Sequence, residues 1–280
     1  MTRGEVRAAD GAFLATRHWG GRGRPLYLVH ATGFCGALWE PVARGLLDVA
    51  APRALDVRGH GRSDKPDADY PWDCFASDLL AWVASEGAEG VFAMGHSSGA
   101  TAIALAAARE PARFARILLL DPVLLPPPAE RDEAERAGGF GLAERARKRR
   151  GEFASLAALC EQLRPKPPYS LFTDEIFDLY LAHAVEVLPD GRARLLCAPE
   201  IESRIYTGTT AVDPWAEIGR ITARTRAVIP KATGMRPHLQ ERLASAIPGV
   251  EVVRVPGTHF LPLENPDLVT ALAREWYGAP

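Results

Sequence analysis

The chain is short of the features that mark specialised protein classes. Cysteine is scarce, four in 280 residues (Cys35, Cys74, Cys160, Cys197), and no two form a C-x-x-C pair. That spacing speaks against a zinc site and predicts reduced thiols in a cytoplasm. Neither charge sign dominates: 33 Lys and Arg face 35 Asp and Glu, for a net charge of −2 at pH 7. Nothing in this balance points to nucleic acid or an anionic membrane as partner. No apolar run reaches the roughly 18 residues of a membrane span. The stretch from Met1 to Arg7 has no apolar segment, so no signal peptide is expected. Internal repeats and low-complexity segments are also missing.

What remains is ordinary for a globular enzyme, with 47% hydrophobic and 24% charged residues. The length is long for one simple domain and short for two, which fits one core with a large insertion. Residues 5–18 alternate polar and apolar around Asp10-Gly11 and read as a hairpin. Short apolar runs at Pro25–His30, Arg53–Val57, Gly90–Met94 and Arg116–Leu120 read as strands. Helical stretches at Pro41–Leu47, Cys74–Ser85 and 100–109 alternate with them. This alternation predicts an α/β fold, a mostly parallel sheet flanked by helices.

The pattern changes at Pro126-Pro127-Pro128. Residues 125–212 hold helical stretches and few convincing strands: Gly138-Gly139, a basic helix from Arg145 to Arg150, and amphipathic segments at 153–163 and 173–187. They predict an inserted helical lid. The core is then 1–124 with 213–280, where strands at Arg226–Ile229 and Glu251–Val255 precede a helix over 266–277.

The chemistry concentrates at Gly95-His96-Ser97-Ser98-Gly99, between an apolar strand and an Ala-rich helix. A sharp strand-to-helix turn there leaves Ser97 at its tip, and the glycines stand where side chains would collide. The glycine frame selects Ser97 over Ser98. The helix N-terminus behind it favours developing negative charge. A serine hydroxyl needs a base. His259, in Pro256-Gly257-Thr258-His259-Phe260 after the last strand, is placed to provide one. His30, His60 and His96 fall beside the expected pocket and read as structural, with His96 also a pocket candidate. His18 and His183 read as exposed or lid residues, and His238 as part of a helix start.

With these pieces in order, the chain resembles the α/β-hydrolase superfamily of esterases, lipases and lactonases. The matching segments are His30-Ala31-Thr32-Gly33-Phe34, Asp56-x-Arg58-Gly59-His60-Gly61-x-Ser63, Gly95–Gly99 and Pro256-Gly257-x-His259-Phe260. The resemblance implies a Ser-acid-His triad, and the acid departs from the commonest pattern. Pro230 to Arg236, where an Asp or Glu usually follows the strand, holds no carboxylate. A subset of the superfamily carries the acid one strand earlier, which makes Asp121, in Leu120-Asp121-Pro122, the expected partner of His259. Asp213 and Glu202 are the other candidates, and a triad without a working acid is the remaining alternative.

The resemblance also implies an oxyanion hole of two backbone N–H groups, from Ser98 and Thr32, with Phe34 the alternative to Thr32. Phe34 and Trp39 are the nearest pocket candidates. Phe153, Tyr169, Phe172, Phe177 and Tyr180 either line an acyl pocket or form lid core. Arg145 to Arg150 reads as a solvated helix face rather than an anion site, and the Asp56–Ser63 loop as scaffolding. The implied activity is cofactor-free and metal-free hydrolysis of a small carboxylic ester, lactone or thioester through a Ser97 acyl-enzyme. Carbon–carbon bond hydrolases, perhydrolases and hydroxynitrile lyases share the same triad. A non-catalytic small-molecule receptor shares the fold. Ser97 disfavours epoxide hydrolases and haloalkane dehalogenases, which use a carboxylate nucleophile.

Overall fold

A computed structural model describes residues 1–136, 141–235 and 237–278. Gly138-Gly139 and Arg236 lie outside the described residues. The first half runs β1 (Thr2–Arg7), β2 (Phe13–His18), β3 (Pro25–Val29), α1 (Glu40–Arg44), β4 (Ala51–Leu55), α2 (Trp72–Ser85), β5 (Val91–His96), α3 (Ser98–Arg109) and β6 (Phe114–Leu120). Next come α4 (Glu133–Arg136), α5 (Leu142–Arg147), β7 (Glu152–Phe153), α6 (Leu156–Leu163), α7 (Asp174–His183), β8 (Val185–Val187), β9 (Ala193–Leu195) and α8 (Pro199–Gly208). The chain closes with β10 (Arg224–Ala232), α9 (Pro237–Ala246), β11 (Glu251–Thr258), α10 (Leu261–Glu264) and α11 (Pro266–Gly278).

The main sheet has the order β1-β2-β4-β3-β5-β6-β10-β11. The pairs from β4 to β11 are parallel, while the β1–β2 hairpin and the β2–β4 pair are antiparallel. Its strands read as unbroken apolar runs because both faces are covered. On one face α1 and α11 pack Val42, Ala43, Val269, Ala273 and Trp276 against Leu26, Leu28, Met94 and Leu118. On the other, α2 and α3 pack Phe75, Leu79, Trp82, Ile103 and Leu105 against Tyr27, Val29, Ala93 and Ile117. Fully burying one such large side chain contributes about 1.5–3 kcal/mol. The sheet therefore fixes where every strand ends.

The segment between β6 and β10 holds more strand than the helical stretches with few convincing strands that the sequence predicts. It carries a small antiparallel sheet, β7-β9-β8, beside its helices. The amphipathic stretch expected over 173–187 stops at His183 and gives way to β8, the first strand of a hairpin with β9. The physical reason is a turn, Leu188-Pro189-Asp190-Gly191, with Gly191 at φ 86°. It pairs Val185 with Leu195 and Val187 with Ala193. The aromatic residues of this segment pack on Ala31, Phe34 and Leu38, over the carboxyl ends of the central strands.

The bend between β5 and α3 allows no side chain at its glycines. A Cβ on Gly99 would lie 2.3 Å from the Val29 carbonyl oxygen, and one on Gly95 would lie 2.6 Å from the Gly99 carbonyl carbon. A Cβ on Gly234 meets nothing within 4 Å. Gly99→Ala should therefore destabilise the fold by about 3 kcal/mol, measured by urea unfolding, with Gly234→Ala within about 0.5 kcal/mol of the parent. Equal stability of the two variants would contradict this packing.

Candidate active site

Three loops at the carboxyl edge of the sheet meet at one point. Ser97 follows β5 in a strained backbone conformation, φ 56° and ψ −120°. Its N–H is tied to the Leu120 carbonyl at 3.0 Å, which anchors the bend to the neighbouring strand. His259 follows β11, and its Nε2 lies 3.0 Å from Ser97 Oγ. Its Nδ1–H donates to Asp121 Oδ2 at 2.7 Å, which leaves the Nε2 lone pair facing the serine hydroxyl. Asp121 follows β6, is 3% exposed, and is also held at positive φ, 41°. The structure thus brings together the three residues that the sequence singled out. Asp213 instead caps a turn by accepting from Trp215 N–H, and Glu202 pairs with Arg149.

Two supports carry no signal in the sequence alone. Thr233 Oγ1 donates to the second Asp121 oxygen at 2.6 Å. Thr233 lies in the stretch after β10 that lacks a carboxylate, so that stretch still contributes to the site, through a hydroxyl. Glu264 in α10 accepts from Thr258 N–H at 2.6 Å and Thr258 Oγ1 at 2.8 Å, fixing the loop that carries His259.

The histidines read as structural are buried and hold backbone. His30 Nε2 accepts from Val57 N–H and His60 Nε2 from Gly33 N–H, each at 2.9 Å. His96 Nε2–H donates to the His259 carbonyl at 2.6 Å. Burial pushes His30 down to about 4 and both His60 and His96 down to about 3, so all three remain neutral at physiological pH. The Asp56–Ser63 loop is scaffolding as expected: the Asp56 carboxylate accepts from Gly36 and Arg62 N–H at 2.8 and 2.9 Å.

One of the two expected oxyanion donors already has a partner. Thr32 N–H and Thr32 Oγ1 both donate to Ser98 Oγ, at 2.9 and 3.0 Å. The Thr32 N–H is therefore engaged rather than open. The cause is the Ser98 hydroxyl, which accepts both bonds. Phe34 N–H, the alternative, bonds the Ala31 carbonyl at 3.3 Å. Ser98 N–H stands at the first position of α3, where no carbonyl of that helix is available to it.

A cavity of about 260 Å³ opens onto Ser97 and His259. Phe34, Val123, Leu125, Leu142, Phe260 and Trp72 form apolar parts of its wall, and Arg149, Glu202, Tyr169 and Tyr206 a polar one. Phe34 lines it as expected. Trp39 and His96 do not: Trp39 is packed into the sheet core against α11, and His96 lies beneath the His259 loop. Of the five aromatics, Tyr169 lines the cavity, while Phe153, Phe172, Phe177 and Tyr180 belong to the buried core of the segment between β6 and β10. The basic run is also divided. Arg145, Arg147, Lys148 and Arg150 are exposed, whereas Arg149 turns inward and joins the buried Glu202 in an ion pair. Its guanidinium also donates to Tyr169 OH at 2.7 Å. Burial pushes the Glu202 carboxyl above its ordinary value, and the Arg149 charge opposes that rise. Among the described residues, no cluster of three or more His, Cys, Asp or Glu is arranged to hold a metal, and no helix is long and apolar enough to cross a membrane.

The positive φ of Ser97 stores strain of order 1–3 kcal/mol, which glycine would relieve. Ser97→Gly and Ser97→Ala both remove the hydroxyl, but only the first relaxes the backbone. The glycine variant should be more stable than the alanine variant by about 1 kcal/mol in urea unfolding. The reverse order would contradict a strained turn.

The profile of the alpha/beta hydrolase family matches residues 26–272. An N-formylmaleamate deformylase of Pseudomonas putida is 36% identical over 116 residues, covering 41% of this chain and 43% of the relative. A non-heme chloroperoxidase of Streptomyces lividans is 32% identical over 123 residues, 43% of this chain and 45% of the relative. The aligned regions thus span less than half the length of these curated relatives. Among solved structures, an E-2-(acetamidomethylene)succinate hydrolase superposes with a TM-score of 0.85 over 99% of both chains, at 21% identity. With the family profile spanning the sheet from β3 to α11, the chain belongs to the alpha/beta hydrolase family.

Proposed function

We propose that the chain is a serine hydrolase that cleaves a small carboxylic ester, lactone or thioester through an acyl-enzyme on Ser97. The observation that carries this reading is the pair of hydrogen bonds joining Asp121, His259 and Ser97, at 2.7 and 3.0 Å, beside a cavity that Ser97 and His259 line. His259 Nε2 takes the Ser97 proton as Oγ attacks the carbonyl carbon. Asp121 accepts from Nδ1–H, fixes the tautomer and stabilises the imidazolium. The oxyanion rests on Ser98 N–H at the α3 N-terminus. Thr32 N–H joins it as Ser98 Oγ gives way to the charged oxygen, since hydrogen bonds to an ionised acceptor are the stronger.

The imidazolium then protonates the leaving alcohol or thiol, and the carbonyl re-forms as the acyl-enzyme. Water loses a proton to His259 and attacks that carbonyl. Collapse returns the proton to Ser97 Oγ and releases the acid. The Pseudomonas putida relative, named for removing a formyl group, favours N-acyl bonds as the second reading.

Turnover of short 4-nitrophenyl esters tests the proposal. Ser97→Ala and Asp121→Asn should each lower kcat by roughly 10⁴-fold. Equal turnover by the parent and Ser97→Ala would remove Ser97 from the mechanism. Activity on N-formyl amides with none on esters would select the second reading.

Thr233 is a positioning residue in this scheme, acting through Asp121. Thr233→Val should lower kcat about tenfold while leaving KM within about twofold, the cost expected for one hydrogen bond to a charged group. Thr233→Ser, which keeps the hydroxyl, should restore turnover. A serine variant as slow as the valine variant would assign Thr233 to packing alone.

A further inference from the structure

The polar wall of the cavity is costly to build and has no need to be polar for stability. Arg149 and Glu202 form an ion pair whose carboxylate is buried, and apolar residues of similar volume in such places are often equally stabilising. The pair faces the same cavity as Ser97, while much of the remaining wall is apolar. Arg149 is the only Arg or Lys lining that cavity among the described residues. Of the five guanidinium N–H groups, one goes to Glu202 and one to Tyr169 OH. The other three have no partner among the described residues. A planar fork of donors with open positions, facing a reactive serine, matches a planar bidentate acceptor.

We infer that the cavity takes an acyl substrate bearing a carboxylate at the end away from the scissile bond, with Arg149 as its seat and Glu202 as the competing carboxylate it must share or displace. The inference rests on the acyl-hydrolase reading and adds the substrate class to it. A phosphate dianion fits less well. It would bring two negative charges to one guanidinium whose first partner is already anionic, with no second Arg or Lys on the wall. A wholly apolar acyl chain would offer the open N–H groups no acceptor. Glu202 sets the selectivity. Its side chain is 6% exposed, and Arg149 is its counter-charge. It holds the guanidinium in place when the cavity is empty and weakens the attraction for any acid that arrives.

The test compares mono-4-nitrophenyl glutarate, which carries a distal carboxylate, with the neutral 4-nitrophenyl pentanoate. The readout is the ratio of their kcat/KM values, which is insensitive to the fraction of folded enzyme. The parent should favour the glutarate. Arg149→Met should lower the ratio about thirtyfold or more. Glu202→Gln, which removes the competing charge and keeps the shape, should raise it several-fold. A ratio that Arg149→Met leaves unchanged, or that Glu202→Gln lowers, would overturn the inference and assign the pair to holding the insertion together. If neither ester is turned over, the acyl-hydrolase reading fails, and titration calorimetry decides the inference separately. Pentanoate should bind the parent and bind Arg149→Met at least tenfold more weakly; equal binding, or no binding to the parent, would overturn it.

Discussion

Two hydrogen bonds join three chain segments that are distant in sequence, and the architecture is arranged around keeping them short. Ser97, Asp121 and His259 stand after β5, β6 and β11, and the parallel sheet delivers all three to one edge. The strain at Ser97 persists because the surrounding contacts leave no alternative: Gly95 and Gly99 sit within a Cβ's reach of neighbouring backbone, and Ser97 N–H is bonded to the next strand. In the proposed mechanism a strained Ser97 held by a well-packed sheet is preorganised, so little rearrangement is left for the reaction itself.

Around Ser97, Asp121 and His259 the structure suppresses charge on the neighbouring histidines. Three buried histidines are neutral and serve as backbone clamps for the loops at 30–34, 56–63 and 257–260. Asp121 is nearly as buried, yet its carboxylate has two strong donors, His259 Nδ1–H and Thr233 Oγ1. A buried imidazole without an anionic partner loses its charge.

Much of this was legible from residues alone. The glycine frame around Ser97, the histidine loop after the last strand and the alternation of apolar runs with helices are local signals, tied to backbone sterics and to burial of both sheet faces. Asp121 was reachable because it ends a strand beside that of Ser97. Thr233 was not, because a threonine after a strand carries no signal until the fold shows what its hydroxyl faces. Trp39 failed as a pocket residue for a similar reason: proximity in sequence to the 30–34 loop says nothing about which face of the sheet a side chain enters. In the basic run, one arginine of the 145–150 stretch turned inward. Local charge density could not separate it from its neighbours, since its partner Glu202 lies 53 residues further on. The hairpin in the insertion was marked by Pro189-Asp190-Gly191, a turn signal outweighed by the helical spacing before it.

The central claim, covalent catalysis by the serine at this bend, is tested most directly by trapping the intermediate. The enzyme is mixed with excess 4-nitrophenyl acetate, quenched in acid within the first turnovers, digested and examined by mass spectrometry. The expected result is an acetyl group on Ser97, in the peptide that also holds Ser98, with fragmentation assigning it to the first serine. Steady release of 4-nitrophenol with Ser97 unmodified, or with the acetyl group on another residue, would contradict it.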